Sequence, residues 1–197
     1  VTGSTDAIRP RVGTRHTRLV ERLNADGSVD AAFASAGIYK DTGVVGYYGV
    51  AVDGSGDVTT VGATTAPPRQ IVVRRLDANG APMGSFGDAG AFVTAVPGDA
   101  GTGASEGRAL LAAGSSFLVG GPMPATSSGD YATGPAGVLA VTATGGIDTS
   151  FGGGVVTVPP MKFNIGYQLT ALALECDGKI LFGARYDDPD AASNANQ

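Results

Sequence analysis

The chain is poor in the residues on which most catalytic and metal sites depend. It has no tryptophan, one cysteine (Cys176) and one histidine (His16) in 197 residues. A single cysteine cannot form an intrachain disulfide, so a disulfide-stapled fold is excluded. A catalytic triad or a histidine zinc site would have to use His16, which we expect to be structural or solvent-exposed. We expect Cys176 to be a buried or half-buried structural thiol, because no base lies near it in sequence.

Charge is also sparse and slightly acidic. Charged residues make up 16% of the chain, and 13 Lys and Arg are outnumbered by 18 Asp and Glu. A nucleic-acid partner is not expected, because such proteins carry a dense basic face. Membrane insertion is not expected either, because no apolar run approaches the ~18 residues of a membrane helix. Residues 1–20 also lack the apolar core of a signal peptide.

Glycine is abundant instead. The chain contains 32 Gly and 11 Pro, and the glycine share is about twice the average. Breakers at this density disfavour long helices, while 43% hydrophobic residues are enough for a core. The composition therefore predicts an all-β, turn-rich domain.

Two sequence elements alternate along the chain. Residues 22–37 and 75–90 align without a gap, and a shorter copy occupies 141–154. Each copy contains one of the aromatic residues Phe33, Phe86 and Phe151, which we expect to be core. Between the copies lie predicted hairpins, in which two apolar strands flank a small turn that contains glycine. Their positions are 51–62, 110–120 and 172–183.

The repeated unit contains four short strands. We call each repeated copy with its Phe a Phe turn. One apolar segment follows each Phe turn, and the hairpin supplies two strands. A fourth segment leads into the next Phe turn, as at 71–76 and 138–142. Four strands in roughly 50 to 65 residues are typical of one β-propeller blade. We expect the inner strands, such as 44–52, to be buried on both faces.

The motifs also resemble a known family. The copies at 22–37 and 75–90, the IDTSFG of residues 147–152 and the DGKI of residues 177–180 look like the delta-60 repeats of bacterial proteins. The resemblance covers roughly residues 18–184. It implies a propeller-like fold in exported or surface-associated proteins and implies no catalytic residue. Ala34 departs from the pattern, in which glycine follows the Phe.

The strand order predicts three repeated four-stranded blades, the last of them incomplete. Three blades curve too tightly to close alone, since propellers have about 4 to 8. We therefore expect self-association into a six-bladed ring, a segment of a larger propeller, or a compact β fold of another kind. The predicted divisions are a basic segment (1–17), an orphan strand plus the first blade (18–76), the second blade (77–142), the third blade (143–186) and an acidic tail (187–197).

No residue pattern identifies a reaction. Asp53 to Asp57 and Asn24 to Asp30 place oxygens at alternate positions, as calcium loops do, but turn chemistry explains them more simply. We therefore predict no catalytic, metal or cofactor residues. Two long insertions, 98–107 and 122–135, are the places where a contact surface is expected. The candidate ligand contacts in and beside them are Tyr131, Asp130 and Arg108.

The function predicted from the sequence is a non-catalytic binding or scaffolding module. We expect it at the bacterial surface or outside the cell, with a protein or a glycan as ligand. Two alternatives remain open at this point. One is a hydrolase or lyase acting on polysaccharide, with paired carboxylates from different blades. The other is a structural segment of a large adhesin or filament.

Overall fold

The chain is built from antiparallel β-strands. The computed structural model describes residues 18–66, 68–96, 105–123, 136–158 and 167–186. Within these ranges the helical structure is one 3₁₀ turn, Gly152–Gly154, so the prediction of an all-β chain is confirmed. The twelve strands of the described residues are β1 (Arg18–Glu21), β2 (Ile38–Asp41), β3 (Val44–Val52), β4 (Val58–Thr64), β5 (Ile71–Leu76), β6 (Ala91–Thr94), β7 (Ala109–Ala113), β8 (Ser116–Pro122), β9 (Ala136–Thr142), β10 (Val155–Val158), β11 (Tyr167–Leu174) and β12 (Ile180–Tyr186).

The strands form two complete sheets and two strand pairs. Sheet I has the order β3-β4-β5-β6, and sheet II has the order β7-β8-β9-β10. The first pair is β1-β2, and the last pair is β11-β12. All of these ladders are antiparallel and join strands that are neighbours in sequence.

The grouping of strands differs from the predicted one. The strand that follows each Phe turn was expected to open a blade, which gives one, four, four and three strands along the chain. In the structure it closes the preceding sheet, because the 14-residue connection 77–90 folds back on β5. Gly90 accepts a hydrogen bond from the Arg75 N–H and so brings β6 alongside β5. The observed grouping is therefore two, four, four and two.

Each strand can be assigned to one of four positions in a sheet. Position 1 is held by β3, β7 and β11, and position 2 by β4, β8 and β12. Position 3 is held by β1, β5 and β9, and position 4 by β2, β6 and β10. The register confirms the equivalence, since Val58 pairs with Leu76 in sheet I as Phe117 pairs with Val141 in sheet II.

The four layers pack face to face in chain order. Phe33, Val58 and Leu76 form a cluster between the first pair and sheet I, against which Val20 packs. The largest cluster lies between sheets I and II and includes Phe86 and Phe117, whose rings meet edge to face at 6.3 Å. A third cluster joins sheet II to the last pair. The layers are thus held mainly by burial of apolar side chains.

The same turn contacts recur between successive layers. The Ala34 N–H donates to the Asn79 carbonyl at 2.7 Å, and the equivalent Gly87 N–H donates to Thr144 at 2.9 Å. Gly80 packs so closely on the first of these turns that a Cβ there would lie 2.7 Å from the Ala34 nitrogen. Because these bonds repeat, one geometric relation links the first pair to sheet I and sheet I to sheet II.

Burial along the strands corrects one expectation. The strands that are buried almost throughout are β4, β8 and β9, at positions 2 and 3. In β3, which was expected to be buried on both faces, Tyr48, Val50 and Val52 are exposed. One face of β3 contacts sheet II, where a Cβ on Gly49 would touch Leu110, and the opposite face is covered only in part by the first pair.

Candidate functional site

The two ends of the layers differ in their connections. One end, the repeat-turn end, carries the recurring turns 22–37, 53–57, 77–90, 143–154 and 175–179. The opposite end, the loop end, is formed by the strand ends that bound the connections 42–43, 65–70, 95–108 and 123–135, whose lengths in the sequence differ from layer to layer. The described residues that flank both long connections, such as Ala109, Pro122 and Ala136, lie together at the loop end because they are paired in sheet II. Sequence variation between the units is therefore concentrated at this end.

The repeat-turn end shows the turn chemistry that was predicted from sequence. The Asp26 carboxylate accepts a bond from the Ser28 N–H at 2.9 Å, and the Asp53 carboxylate accepts one from the Ser55 N–H at 2.8 Å. Arg75 is ion-paired with Asp53 at 2.5 Å and with Asp57 at 3.3 Å. In the segment Asp53 to Asp57, an arginine therefore already neutralises the two carboxylates that resembled calcium ligands.

This arrangement affects the acidity of Asp53. Burial acts to raise the pKa of the Asp53 carboxyl, but the N–H groups of Ser55 and Asp57 and the Arg75 guanidinium outweigh it and lower that pKa. At Asp148 the hydroxyl of Ser116, followed by Ser150, lowers the pKa of the carboxyl. Both carboxylates are structural acceptors that stay ionised, which suits neither of them to act as a general acid near neutral pH.

A buried carboxylate lies at the loop end. The Glu106 side chain is 2% exposed, and it lies near the end of the connection 95–108. One of its oxygens binds the Arg69 guanidinium at 2.7 Å, and the other binds Arg108 at 2.9 Å. Arg108 also lies over the Tyr48 ring, 5.6 Å from its centroid. Charge-assisted bonds on both oxygens fix the carboxylate and join the connection 65–70, which contains Arg69, to the connection 95–108.

A second polar cluster joins the first pair to sheet I. The Tyr47 hydroxyl donates to the Asp41 carboxylate at 2.7 Å, and Arg74 is ion-paired with the same carboxylate at 2.8 Å. Burial, and then the bond to Asp41, raise the pKa of Tyr47 well above its usual value. A phenol that is held protonated in this way is a hydrogen-bond donor and not a base.

The structure brings together only part of the predicted contact set. Arg108 lies at the loop end, as its position beside the insertion suggested, but its guanidinium is occupied by Glu106. Tyr131 and Asp130 lie outside the described residues, as do most of the two insertions and His16. Glu106 was not singled out from sequence, because a lone Glu in a glycine-rich connection carries no recognisable pattern.

Two expectations about individual side chains are wrong. Cys176 is exposed, because it occupies a corner of the turn that joins β11 to β12. Tyr48 is exposed instead of core, because the register shifts between Tyr47 and Gly49 and turns Tyr48 outward. The core assignment holds for Phe33 and Phe86, while Phe151 is half-buried.

Two shallow grooves lie beside the strand pairs. One, of about 290 Å³, is bounded by β1 and by residues 47–50 of β3, together with Thr60. The other, of about 300 Å³, lies between sheet II and the last pair and is lined by Leu118, Phe151, Leu174 and Ile180. Both are open clefts with mixed apolar and polar walls. Glu21, Tyr47 and Tyr48 also line the first, and Asp148 also lines the second.

No reactive constellation is found in the described part of the chain. Across those residues, no three His, Cys, Asp or Glu side chains are grouped as metal ligands. Nor does any helix there have the length and hydropathy needed to cross a membrane. Comparison with protein-family models, curated proteins and solved structures finds no match to the chain.

Proposed function

We propose that the chain is a β-propeller-like module of the delta-60 repeat type with a non-catalytic binding or scaffolding function. The observation that carries the proposal is the recurrence of the same inter-layer contacts, Ala34 to Asn79 and Gly87 to Thr144. A single relation repeated between successive antiparallel layers is how propeller blades are arranged around an axis. The repeated motifs and the sheets they form support the same interpretation.

The loop end is the proposed contact surface. The connections 95–108 and 123–135 are long, and their sequences differ between layers. The Arg69–Glu106–Arg108 cluster fixes the end of 95–108 against the connection 65–70. Binding residues are commonly placed on loops that a rigid scaffold positions. Arg108 anchors the rim of this surface, and the contacts come from the insertions themselves, with Tyr131 and Asp130 as the candidates.

The net charge of the chain and its aromatic side chains favour particular classes of ligand. The net charge of −5 favours a protein or a glycan over a nucleic acid. Aromatic side chains such as Tyr131 in an insertion suit stacking on a sugar ring. We place the module at the bacterial surface or outside the cell, where the resembled repeats occur.

A glycan-array screen with the purified chain tests this proposal. The leading glycan is then titrated against a variant in which residues 124–135 are replaced by a short Gly-Ser link. We expect the variant to fold and to lose binding by at least about tenfold, which is about 1.4 kcal/mol. Lys179→Ala, at the repeat-turn end, is the control and should bind like the parent chain. Equal binding by the loop variant contradicts the assignment of the surface.

The same array separates binding from hydrolysis. A binding module leaves each bound glycan intact over prolonged incubation, which mass spectrometry detects. Release of shorter products that depends on one of the carboxylates would instead establish the hydrolase or lyase.

A further inference from the structure

The first and last strand pairs are complementary halves of one sheet. The last pair holds positions 1 and 2, and the first pair holds positions 3 and 4. In sheets I and II, position 2 pairs with position 3, as β4 does with β5 and β8 with β9. Among the described residues, β12 pairs only with β11 and β1 only with β2, so that part of the chain contains no pairing of the two edges that should meet.

The apolar residues on these two edges are exposed at positions that are buried in the complete sheets. Leu181 of β12 is 54% exposed, whereas Thr59 at the equivalent place in sheet I is 2% exposed. Leu23, just after β1, is 57% exposed, whereas the equivalent Leu76 is 0% exposed. Phe182 of β12 and Leu19 of β1 are also exposed, and the residues at the equivalent places in sheet I are buried. Exposed edges with apolar side chains tend to pair with another strand.

The two grooves lie where strands that complete the two pairs would run. The groove beside β1 is walled by β3 and β4 of sheet I, against which a position-2 strand would pack. The groove beside β12 is walled by sheet II and lies where a position-3 strand would run. Their volumes are nearly equal, at about 290 and 300 Å³.

We propose that two copies of the chain complete each other, with β12 of one copy pairing with β1 of the other. The register follows from sheet I, since the hairpin Leu174–Ile180 repeats the pairing and five-residue turn of Val52–Val58. Val58 pairs with Leu76 and Gly62 with Val72. The same offset places Ile180 opposite Leu23 of the partner and Ala184 opposite Leu19 of the partner.

The assembly closes with two-fold symmetry. Each composite sheet consists of β11-β12 from one copy and β1-β2 from the other. Its β11-β12 half packs on sheet II of its own copy, and its β1-β2 half packs on sheet I of its own copy. Each pair already makes these contacts within one copy. Counted over the described strands, two composite sheets and four complete sheets, two from each copy, give six blades, within the usual range of about 4 to 8. This inference rests on the proposed propeller and adds the partner that closes it.

Engineered cysteines test the predicted register. In a Cys176→Ser background, Leu19→Cys and Ala184→Cys are combined in one chain and oxidised under mild conditions. Opposed residues of an antiparallel pair bring their Cβ atoms within reach of a disulfide. We expect a covalent dimer as the main species on a non-reducing gel. The matched control, Glu21→Cys with Ala184→Cys, is two residues out of register and should remain mostly unlinked.

A second pair of variants tests the apolar edge without cysteine chemistry. Leu181→Glu places a carboxylate at a position that pairing with the second copy would bury. It should raise the dimer dissociation constant at least about tenfold. Val93→Glu, on the outer strand of sheet I, carries the same charge and should leave the dimer intact. Circular dichroism checks that both variants keep the β fold, and light scattering measures their mass.

The outcomes distinguish this proposal from the proposed function. A monomer at all concentrations, an intrachain disulfide, or equal linking of the two cysteine pairs overturns the two-copy blade. Long polymers overturn it too, because two-fold closure forbids them. A chain that binds a glycan as a monomer overturns only this inference, whereas a cross-linked dimer without any ligand overturns only the binding function.

Discussion

In each of the three Phe turns, the residue directly after the Phe has a left-handed backbone conformation. Ala34 has φ of +47°, whereas glycine occupies the equivalent place in the next two turns, with φ of +55° at Gly87 and +54° at Gly152. A side chain in this region costs about 1–2 kcal/mol. The departure from the repeat pattern at Ala34 is therefore a local cost to stability.

Exchanging residues at these equivalent positions should have opposite effects. Ala34→Gly removes the strain at some cost in unfolded-chain entropy, so we expect a gain of about 0.5 kcal/mol. Gly87→Ala would bring a Cβ within 2.1 Å of the Ala91 carbonyl oxygen, and we expect a loss of about 2–3 kcal/mol. Urea unfolding followed by circular dichroism measures both. A loss of stability in Ala34→Gly would contradict the assignment of strain.

The buried Glu106 carboxylate should be important for stability. Glu106→Gln keeps the shape but leaves Arg69 and Arg108 with a neutral acceptor. We expect a loss of about 2 kcal/mol, since bonds to charged groups contribute about 1.5–3 kcal/mol and the arginines are partly solvated. Asp26→Asn, in an exposed turn, is the control and should change stability by less than about 1 kcal/mol. Equal losses of unfolding free energy in the two variants would show that the Arg69–Glu106–Arg108 cluster does not stabilise the fold.

The lowered pKa of Asp53 predicts a pH dependence. Because the folded pKa lies below the unfolded value of about 3.9, the ionised group contributes stability above pH ~4. That contribution is lost as the pH falls through the folded pKa. The difference in unfolding free energy between the parent chain and Asp53→Asn should therefore be constant from pH 7 to 5 and shrink below pH 4. A difference that grows on acidification would contradict the Asp53–Arg75 assignment.

At the scale of the elements, sequence periodicity predicted the strands better than their grouping. The segment 71–76 and the three hairpins were found where expected, because apolar runs between glycine turns define them locally. The partner of each Phe-turn strand was not predictable, because sequence order allows it to pair forward or backward. The bond from the Arg75 N–H to Gly90 decides this, and it depends on folded turn geometry.

The candidate site was only partly predictable for a related reason. The insertions are visible as interruptions of the repeat, so the loop end could be anticipated from Arg108 and its surroundings. The burial of Glu106 and the outward turn of Tyr48 depend on a long-range ion pair and a register shift. Neither of these leaves a mark in a single sequence.

The three Phe turns should differ in their contribution to stability. Phe86 is almost fully buried between two complete sheets, so Phe86→Ala should cost about 3–5 kcal/mol. Phe151 is half-buried beside the open groove, so Phe151→Ala should cost clearly less in the monomer. Thermal unfolding measures both, at a chain concentration below the dimer dissociation constant. Equal costs would mean that the last turn is as well covered as the middle one.

At the scale of the whole molecule, the four layers form an open row with complementary ends. Two strands at each end display apolar side chains that the complete sheets bury, and each end presents a groove of similar size. In the proposed assembly, a second copy joins these ends and closes a ring whose loop end forms one surface.

Small-angle X-ray scattering of the parent chain across a concentration series tests that claim most directly, because it reports mass and shape together. The account predicts a mass of twice 19.5 kDa and a compact particle with a central channel. A mass of 19.5 kDa with the profile of an elongated row of layers, at every concentration, would contradict it.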